Sequence, residues 1–137
     1  MLIVLDASAV VELLFQTVPG KRVSDIIFEP GINLCAPELL TIETIQVIRR
    51  FINSKELTSS VANAIFKDLK DLPISFYSHQ ILLDRTWELR KNFTAYDATY
   101  LALAEALNAP LITCDSAFKK GSGTTHRAKI IHIKPKS

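Results

Sequence analysis

A chain of 137 residues, 48% hydrophobic and with only four glycines, bounds a single ordinary globular domain over residues 1–137 and excludes a disordered or low-complexity polymer. No stretch approaches the roughly 18 consecutive apolar residues of a membrane span, so no membrane partner is expected. The 16 Lys and Arg against 14 Asp and Glu give a net charge of +2, which conceals an uneven layout along the chain.

Leu2 to Leu5 is a continuous apolar run and predicts a buried strand. Ala7 to Phe15 predicts a short helix, and Pro19-Gly20 a break in the chain. Val23, Ile26 and Ile27 give Lys21 to Phe28 helical spacing. Pro30-Gly31 predicts a turn, and Ile32 to Cys35 a second strand. Pro37 suits the first turn of a helix, which is expected to run to about Ile52. Thr58 or Ser59 is placed to cap a helix that ends near Leu72. Pro73 to Tyr77 predicts a strand, and helices follow over about 79–92 and 95–107. Asn108-Ala109-Pro110 stops the second of these. Leu111 to Cys114 predicts a strand, Ser116 to Lys120 a helical turn, Gly121-Ser122-Gly123 a flexible loop, and Ile130 to Ile133 a last strand. Strands apolar on both faces, alternating with helices, predict a three-layer α/β/α sandwich around a mainly parallel sheet.

The amino terminus enters its first strand directly, with no basic region and no small-residue cleavage site, so no signal peptide is expected. Cys35 and Cys114 lie far apart in apolar runs without zinc spacing. Buried free thiols in a reducing cytoplasm are the expectation.

Four acids stand where acids are costly. Asp6 closes the first apolar run, and Asp115 follows Leu111-Ile112-Thr113-Cys114. Ligands of open α/β sheets bind beyond the carboxyl ends of the strands, so two such acids face one crevice if their strands are parallel neighbours. Glu43 has Leu39 and Val47 four residues to either side and projects from an inward helical face. Asp97 has Phe93 and Leu101 at four residues and opens a helix that is apolar nearly all round. Carboxylates in apolar settings must be paired, be protonated or hold a metal. Each acid also has a purely structural explanation. Asp6 and Asp115 suit helix N-caps, Glu43 has Arg49 and Arg50 nearby in sequence, and Asp97 has Tyr100. Their coincidence favours a site for a hard divalent cation, Mg²⁺ or Mn²⁺, which takes oxygen ligands and clamps phosphoryl oxygens.

After Asp115 the chain has no acid, only Lys119, Lys120, Arg127, Lys129, Lys134 and Lys136 among its charges. An acidic focus in a basic surround suits a phosphate polymer; a solvated basic tail is the plainer alternative. His79, His126 and His132 are scattered and read as surface residues, with no acid–base pair among them. Trp87 reads as core or partner interface. Val47, Ile48, Phe51 and Ile52 with Ile65, Phe66 and Leu69 suit a groove between helices. An aspartyl phosphotransfer enzyme would want a second Asp two residues after the first, where Ser8 stands.

The chain resembles the PIN-domain ribonucleases, and most closely the VapC-type toxins of toxin–antitoxin pairs. The resemblance is carried by Leu2-Ile3-Val4-Leu5-Asp6-Ala7-Ser8-Ala9, Pro37-Glu38-Leu39-Leu40-Thr41-Ile42-Glu43, Tyr96-Asp97-Ala98-Thr99-Tyr100-Leu101-Ala102-Leu103-Ala104 and Pro110-Leu111-Ile112-Thr113-Cys114-Asp115-Ser116-Ala117-Phe118. The ordered set is specific where each motif alone is weak. It implies a PIN-like fold and a metal-dependent endoribonuclease that cleaves RNA by a metal-activated water. Asp6, Glu43, Asp97 and Asp115 would surround one or two Mg²⁺ or Mn²⁺ ions, with Asp6 and Asp97 favoured as direct ligands and Glu43 and Asp115 acting directly or through water. Ser8 and Thr113 match positions whose hydroxyls support such a site. The resemblance further implies a VapB-type antitoxin, a homodimer and a cytoplasmic location. One departure is Gln46, where the family often has Asn. Lys119, Lys120 and Arg127 are candidate phosphate contacts by position and charge. The alternative is a PIN-like domain without activity that binds RNA or protein.

Overall fold

Leu2–Leu5 forms β1 in the computed structural model, which describes residues 1–119 and 125–134. The predicted loop Gly121-Ser122-Gly123, Lys120 and Lys136 lie outside the described residues. Asp6 ends β1 by accepting the Ala9 amide hydrogen on its side chain, which starts α1 (Ala7–Leu14). Thr17 caps α2 (Val18–Ile27) in the same way, through the Gly20 amide. Pro19 and Gly20 therefore sit in the first turn of a helix instead of breaking the chain. Proline has no amide hydrogen to lose there.

β2 (Asn33–Pro37) runs on through Pro37, and α3 (Leu39–Asn53) begins after it. The expected helical Pro37 is thus a strand terminus, and Glu38 makes no side-chain cap. The orphan Leu39 amide donates instead to His79 Nε2 at 2.8 Å. Thr58 caps α4 (Ser59–Asp71), which leads to β3 (Ile74–Tyr77). The predicted helix over 79–92 is two shorter pieces, a 3₁₀ turn His79–Leu82 and α5 (Leu83–Glu88). Leu82 and Leu89 are buried at either end of α5, while none of its own residues is. Thr94 caps α6 (Ala95–Leu107), and Asn108 ends it in the left-handed conformation. β4 (Leu111–Thr113), a 3₁₀ turn Ser116–Lys119 and β5 (Ile130–His132) complete the chain.

The strands pair in the order β3-β2-β1-β4-β5, parallel throughout the described residues. The chain steps from β1 to β3 in one direction, then returns past β1 to β4 and β5. Right-handed crossovers then put α1–α4 on one face and α5–α6 on the other. The packing agrees: α1 lies on α2 and α3, α3 on α4, and α5 on α6, which crosses β1 and β2. The expected α/β/α sandwich is thus observed. Ile3, Val4, Leu5, Leu34, Cys35, Ala36, Leu111 and Ile112 are buried, as strands covered on both faces require. Ala98 through Ala104 of α6 are all buried as well, so this helix is core on nearly every side.

Cys35 is buried, but Cys114 is only half-buried. His126 is fully buried, against the surface reading: its Nδ1 accepts from the Ala128 amide at 3.2 Å, so Nε2 donates to the Phe118 carbonyl at 2.9 Å. His79 and His132 are half-buried. Trp87 is 67% exposed, with the Arg90 guanidinium over its ring at 4.2 Å, and so is not core. Among the described residues no helix is long and apolar enough to cross a membrane.

Gly20 is fixed by the approach of α2 to α1: a Cβ there would overlap the backbone carbonyl of Glu12. An unhindered helical Gly→Ala change gains roughly 0.5–1 kcal/mol. Here the sign is reversed, and Gly20→Ala is expected to cost about 1–3 kcal/mol through overpacking. Chemical denaturation measures this, and a stabilised variant would refute the close contact.

Candidate functional site

The sheet changes direction between β1 and β4, which makes the crevice beyond their carboxyl ends the topological switch point. The register Val4 to Leu111 and Leu5 to Ile112 sets those two strand ends side by side. Asp6 and Asp115 follow them directly. Glu43 enters from the first turns of α3 and Asp97 from the first turn of α6. All four acids line one cleft of about 680 Å³, together with Ser8, Glu12, Ile42, Gln46, Arg50, Tyr96 and Tyr100.

The acids differ in setting. Asp6 is 3% exposed, Glu43 and Asp97 are half-buried, and Asp115 is exposed. The cost anticipated for four buried acids therefore falls mainly on Asp6. Its Oδ1 accepts from the Ser8 hydroxyl at 2.8 Å and the Ala9 amide at 2.9 Å, and its Oδ2 accepts from the Thr113 hydroxyl at 2.5 Å. Each hydroxyl is itself fed by a backbone amide from beyond β4. Cys114 N–H donates to Ser8 Oγ and Asp115 N–H to Thr113 Oγ1, both at 2.9 Å. These relays polarise one another and fix the backbone that carries Asp115. Burial nevertheless pushes the Asp6 carboxyl up to about 6, against the three hydrogen bonds. Asp97 also rises to about 6, by burial first and then by the charges of Asp115 and Glu43. The Cys114 thiol is pushed up to about 12 by burial and by Asp6 and Glu12, which leaves it protonated and unreactive.

The structural alternatives for single acids are partly true. Asp6 is a helix cap, and Asp115 Oδ1 accepts from the Ala117 amide at 2.9 Å to start its 3₁₀ turn. Glu43 pairs with neither Arg49 nor Arg50, and Asp97 does not bond Tyr100. Instead the Tyr100 hydroxyl, on a side chain 2% exposed, donates to Glu43 Oε1 at 2.6 Å and joins α6 to α3. Burial and this bond push the Tyr100 hydroxyl far above its usual range, so it stays a donor. Tyr100 was legible only as a buried tyrosine in need of a partner. Arg50, Ile42 and Tyr96 also reach the cleft. Arg50 follows Glu43 by seven residues, two helical turns along one face, which is a signal in the sequence.

Arg127 is not at the acids, and Lys119 is not among the residues lining their cleft. Arg127 and Lys129 line a separate cleft of about 700 Å³ with Arg85 and Glu105. They precede β5 and so lie toward the amino ends of the strands. Glu105 holds that segment, accepting from the Arg127 amide at 2.7 Å and from Arg85 Nε at 2.7 Å.

No three His, Cys, Asp or Glu side chains among the described residues converge into a ready cage for a metal ion. The donor set still fits a hydrated Mg²⁺ or Mn²⁺, which keeps several waters and needs only one or two carboxylates from the protein. Zinc or copper would want His or Cys, and none other than the protonated Cys114 lines the cleft.

Residues 3–123 match the model of the PIN domain. The chain is 37% identical over 132 residues to Ribonuclease VapC1 of Mycobacterium tuberculosis, covering 93% of this chain and 96% of that one. Its fold is similar to a chain of VapBC2 from Rickettsia felis, solved bound to a DNA fragment from its promoter, with a TM-score of 0.71, 13% identity and coverage of 96% and 98%. It is also similar to a chain of a toxin–antitoxin complex from Klebsiella pneumoniae, with a TM-score of 0.65, 14% identity and coverage of 98% and 99%.

The raised Asp6 carboxyl has a consequence for stability. The folded chain binds this proton more tightly than the unfolded one, so its stabilisation is complete below pH 3.8 and is lost as pH rises through about 6. In EDTA, the loss between these limits is on the order of 3 kcal/mol. Asp6→Asn should flatten that part of the pH profile in denaturant titrations. Parallel profiles for the two proteins would show that Asp6 does not titrate as its burial requires.

Proposed function

The chain belongs to the PIN-domain family, and from that premise we propose that it is a VapC-type endoribonuclease dependent on Mg²⁺ or Mn²⁺. The observation that carries this reading is the gathering of four carboxylates on one cleft at the switch point, with no ion pair to any of them among the described residues. Likeness to a protein called a ribonuclease over nearly its whole length supports the same conclusion.

Asp6 and Asp97 would hold the cation directly, and Glu43 and Asp115 directly or through water. When bound, the cation supplies charge for the phosphoryl oxygens and a bound water of lowered pKa. Ser8 and Thr113 lock the Asp6 carboxylate in place, and Tyr100 orients Glu43. A site held this way has little left to reorganise when charge develops on the phosphate. The reaction is in-line attack of water on an RNA phosphodiester, leaving 5′-phosphate and 3′-hydroxyl ends.

The partners follow from the same reading. The likeness to a chain of a toxin–antitoxin complex supports a VapB-type antitoxin. Its seat would be the shallow groove between α3 and α4, where Ile45, Ile52 and Phe66 line the floor and rim. A homodimer would use Ile81, Leu83 and Trp87, which are 69%, 51% and 67% exposed. The cytoplasm is the expected location.

The test is incubation of the purified, partner-free chain with total RNA and Mg²⁺ or Mn²⁺. Discrete fragments are expected, and EDTA or Asp97→Asn should reduce cleavage at least about 100-fold. Fragments that persist in EDTA would overturn metal dependence. Intact RNA across metals and pH would favour the binding module instead. Mn²⁺ should also raise the melting temperature at pH 7.5 and far less at pH 5, because carboxylates titrating near 6 must release protons to bind it. No shift at either pH would remove the cation site.

A further inference from the structure

Two large apolar side chains stand at the rim of the acidic cleft, and none of the described residues covers them. Ile42 is 66% exposed and Tyr96 is 59% exposed. Each directly precedes a cleft acid, Glu43 and Asp97. One residue on a helix is a rotation of about 100°, so each side chain is turned from the cleft wall to its lip. An exposed aromatic costs hydrophobic free energy and is informative where it adjoins a site. The second unusual feature is Arg50. Among the described residues it is the one cationic side chain lining a cleft that also holds Asp6, Glu12, Glu43, Asp97 and Asp115. It is exposed, and among the described residues it makes no ion pair. A cleft this acidic repels a polyanion, so among the described side chains Arg50 marks where the protein itself can hold a phosphate.

We propose that Tyr96 and Arg50 form a subsite for one unpaired nucleotide beside the scissile phosphate, with the Tyr96 ring stacked on its base and Arg50 paired to a neighbouring phosphate. The proposal rests on the nuclease reading for its substrate class and adds the form in which the RNA enters. A base inside a duplex has no free face, so an exposed ring can stack only on one that is splayed out. Ile42 supplies an apolar edge to the same lip. It also lines an adjoining depression with Leu39 and Phe76, so the apolar surface continues away from the acids. That continuation, whose rim also includes Glu38 and His79, has no Lys or Arg among its described lining residues and suits bases better than phosphates.

The test measures binding and cleavage separately. Fluorescence anisotropy with a single-stranded RNA oligonucleotide and its duplex form, in the Asp97→Asn background, reads affinity without turnover. Tyr96→Ala should weaken single-strand binding about tenfold, the effect of losing one stacked base, and Tyr96→Phe should restore it. Arg50→Ala should lower the slope of log affinity against log salt by roughly 0.7, one single-strand phosphate contact. In the active chain Tyr96→Ala should raise KM by the same factor and change kcat little. Equal affinities for Tyr96→Ala and Tyr96→Phe, or an unchanged salt slope for Arg50→Ala, would overturn the subsite. A protein partner on this lip would show as loss of partner capture by Tyr96→Ala with RNA affinity unchanged, which also overturns it. If the unmutated chain leaves RNA intact, the nuclease reading fails and the anisotropy data still decide the subsite. Both side chains are exposed, so melting temperatures should stay level across the variants.

Discussion

The Asp6 carboxylate is held by donors from two parts of the chain that are more than one hundred residues apart. The Ala9 amide and the Ser8 hydroxyl come from α1, and the Thr113 hydroxyl comes from the end of β4. One buried group therefore starts the first helix, ties β1 to β4 beyond their last backbone bonds, and sets the path of the chain that presents Asp115. A buried carboxylate with fewer partners would be too costly to keep. With three, it remains biased toward its protonated form, because burial outweighs the hydrogen bonds.

Glu43, Asp97 and Asp115 extend this arrangement outward with falling burial. Their mutual repulsion is visible in Asp97, whose proton affinity rises with the charges of Asp115 and Glu43. Only Tyr100 among the cleft residues gives Glu43 a hydrogen bond, and it comes from the opposite helical layer. The bond spans α3 and α6, so the geometry of the acids depends on how both layers seat against the sheet. The rigidity of α6, buried from Ala98 to Ala104, is what makes Tyr100 a fixed support.

Charge is divided between two ends of the molecule. The acids collect past the carboxyl ends of the strands. Arg127 and Lys129 lie at the amino end of β5, where Glu105 and Arg85 anchor the segment between them and α6. Among the described residues, the late cations Lys119, Arg127, Lys129 and Lys134 do not line the acidic cleft.

Much of the fold and most of the candidate site were legible without coordinates. Short apolar runs marked the strands, and Thr58 and Asn108 marked helix ends, because hydrophobic period and capping chemistry are local properties of a few residues. Asp6 and Asp115 were readable because an acid directly after a buried strand has few other places to go. Pro19 and Pro37 misled, since proline fits a helix's first turn and a strand's last residue equally well and the choice rests on what packs nearby. The sequence by itself determined which residues are apolar, roughly where the strands lie and which four acids stand in apolar surroundings. Only the tertiary structure decided that β1 neighbours β4, that Tyr100 bonds Glu43 rather than Asp97, that His126 is buried, and that Arg50 reaches the cleft while Arg127 does not. Those outcomes depend on contacts between residues far apart in the chain, and local spacing carries no information about which distant segment will supply the partner.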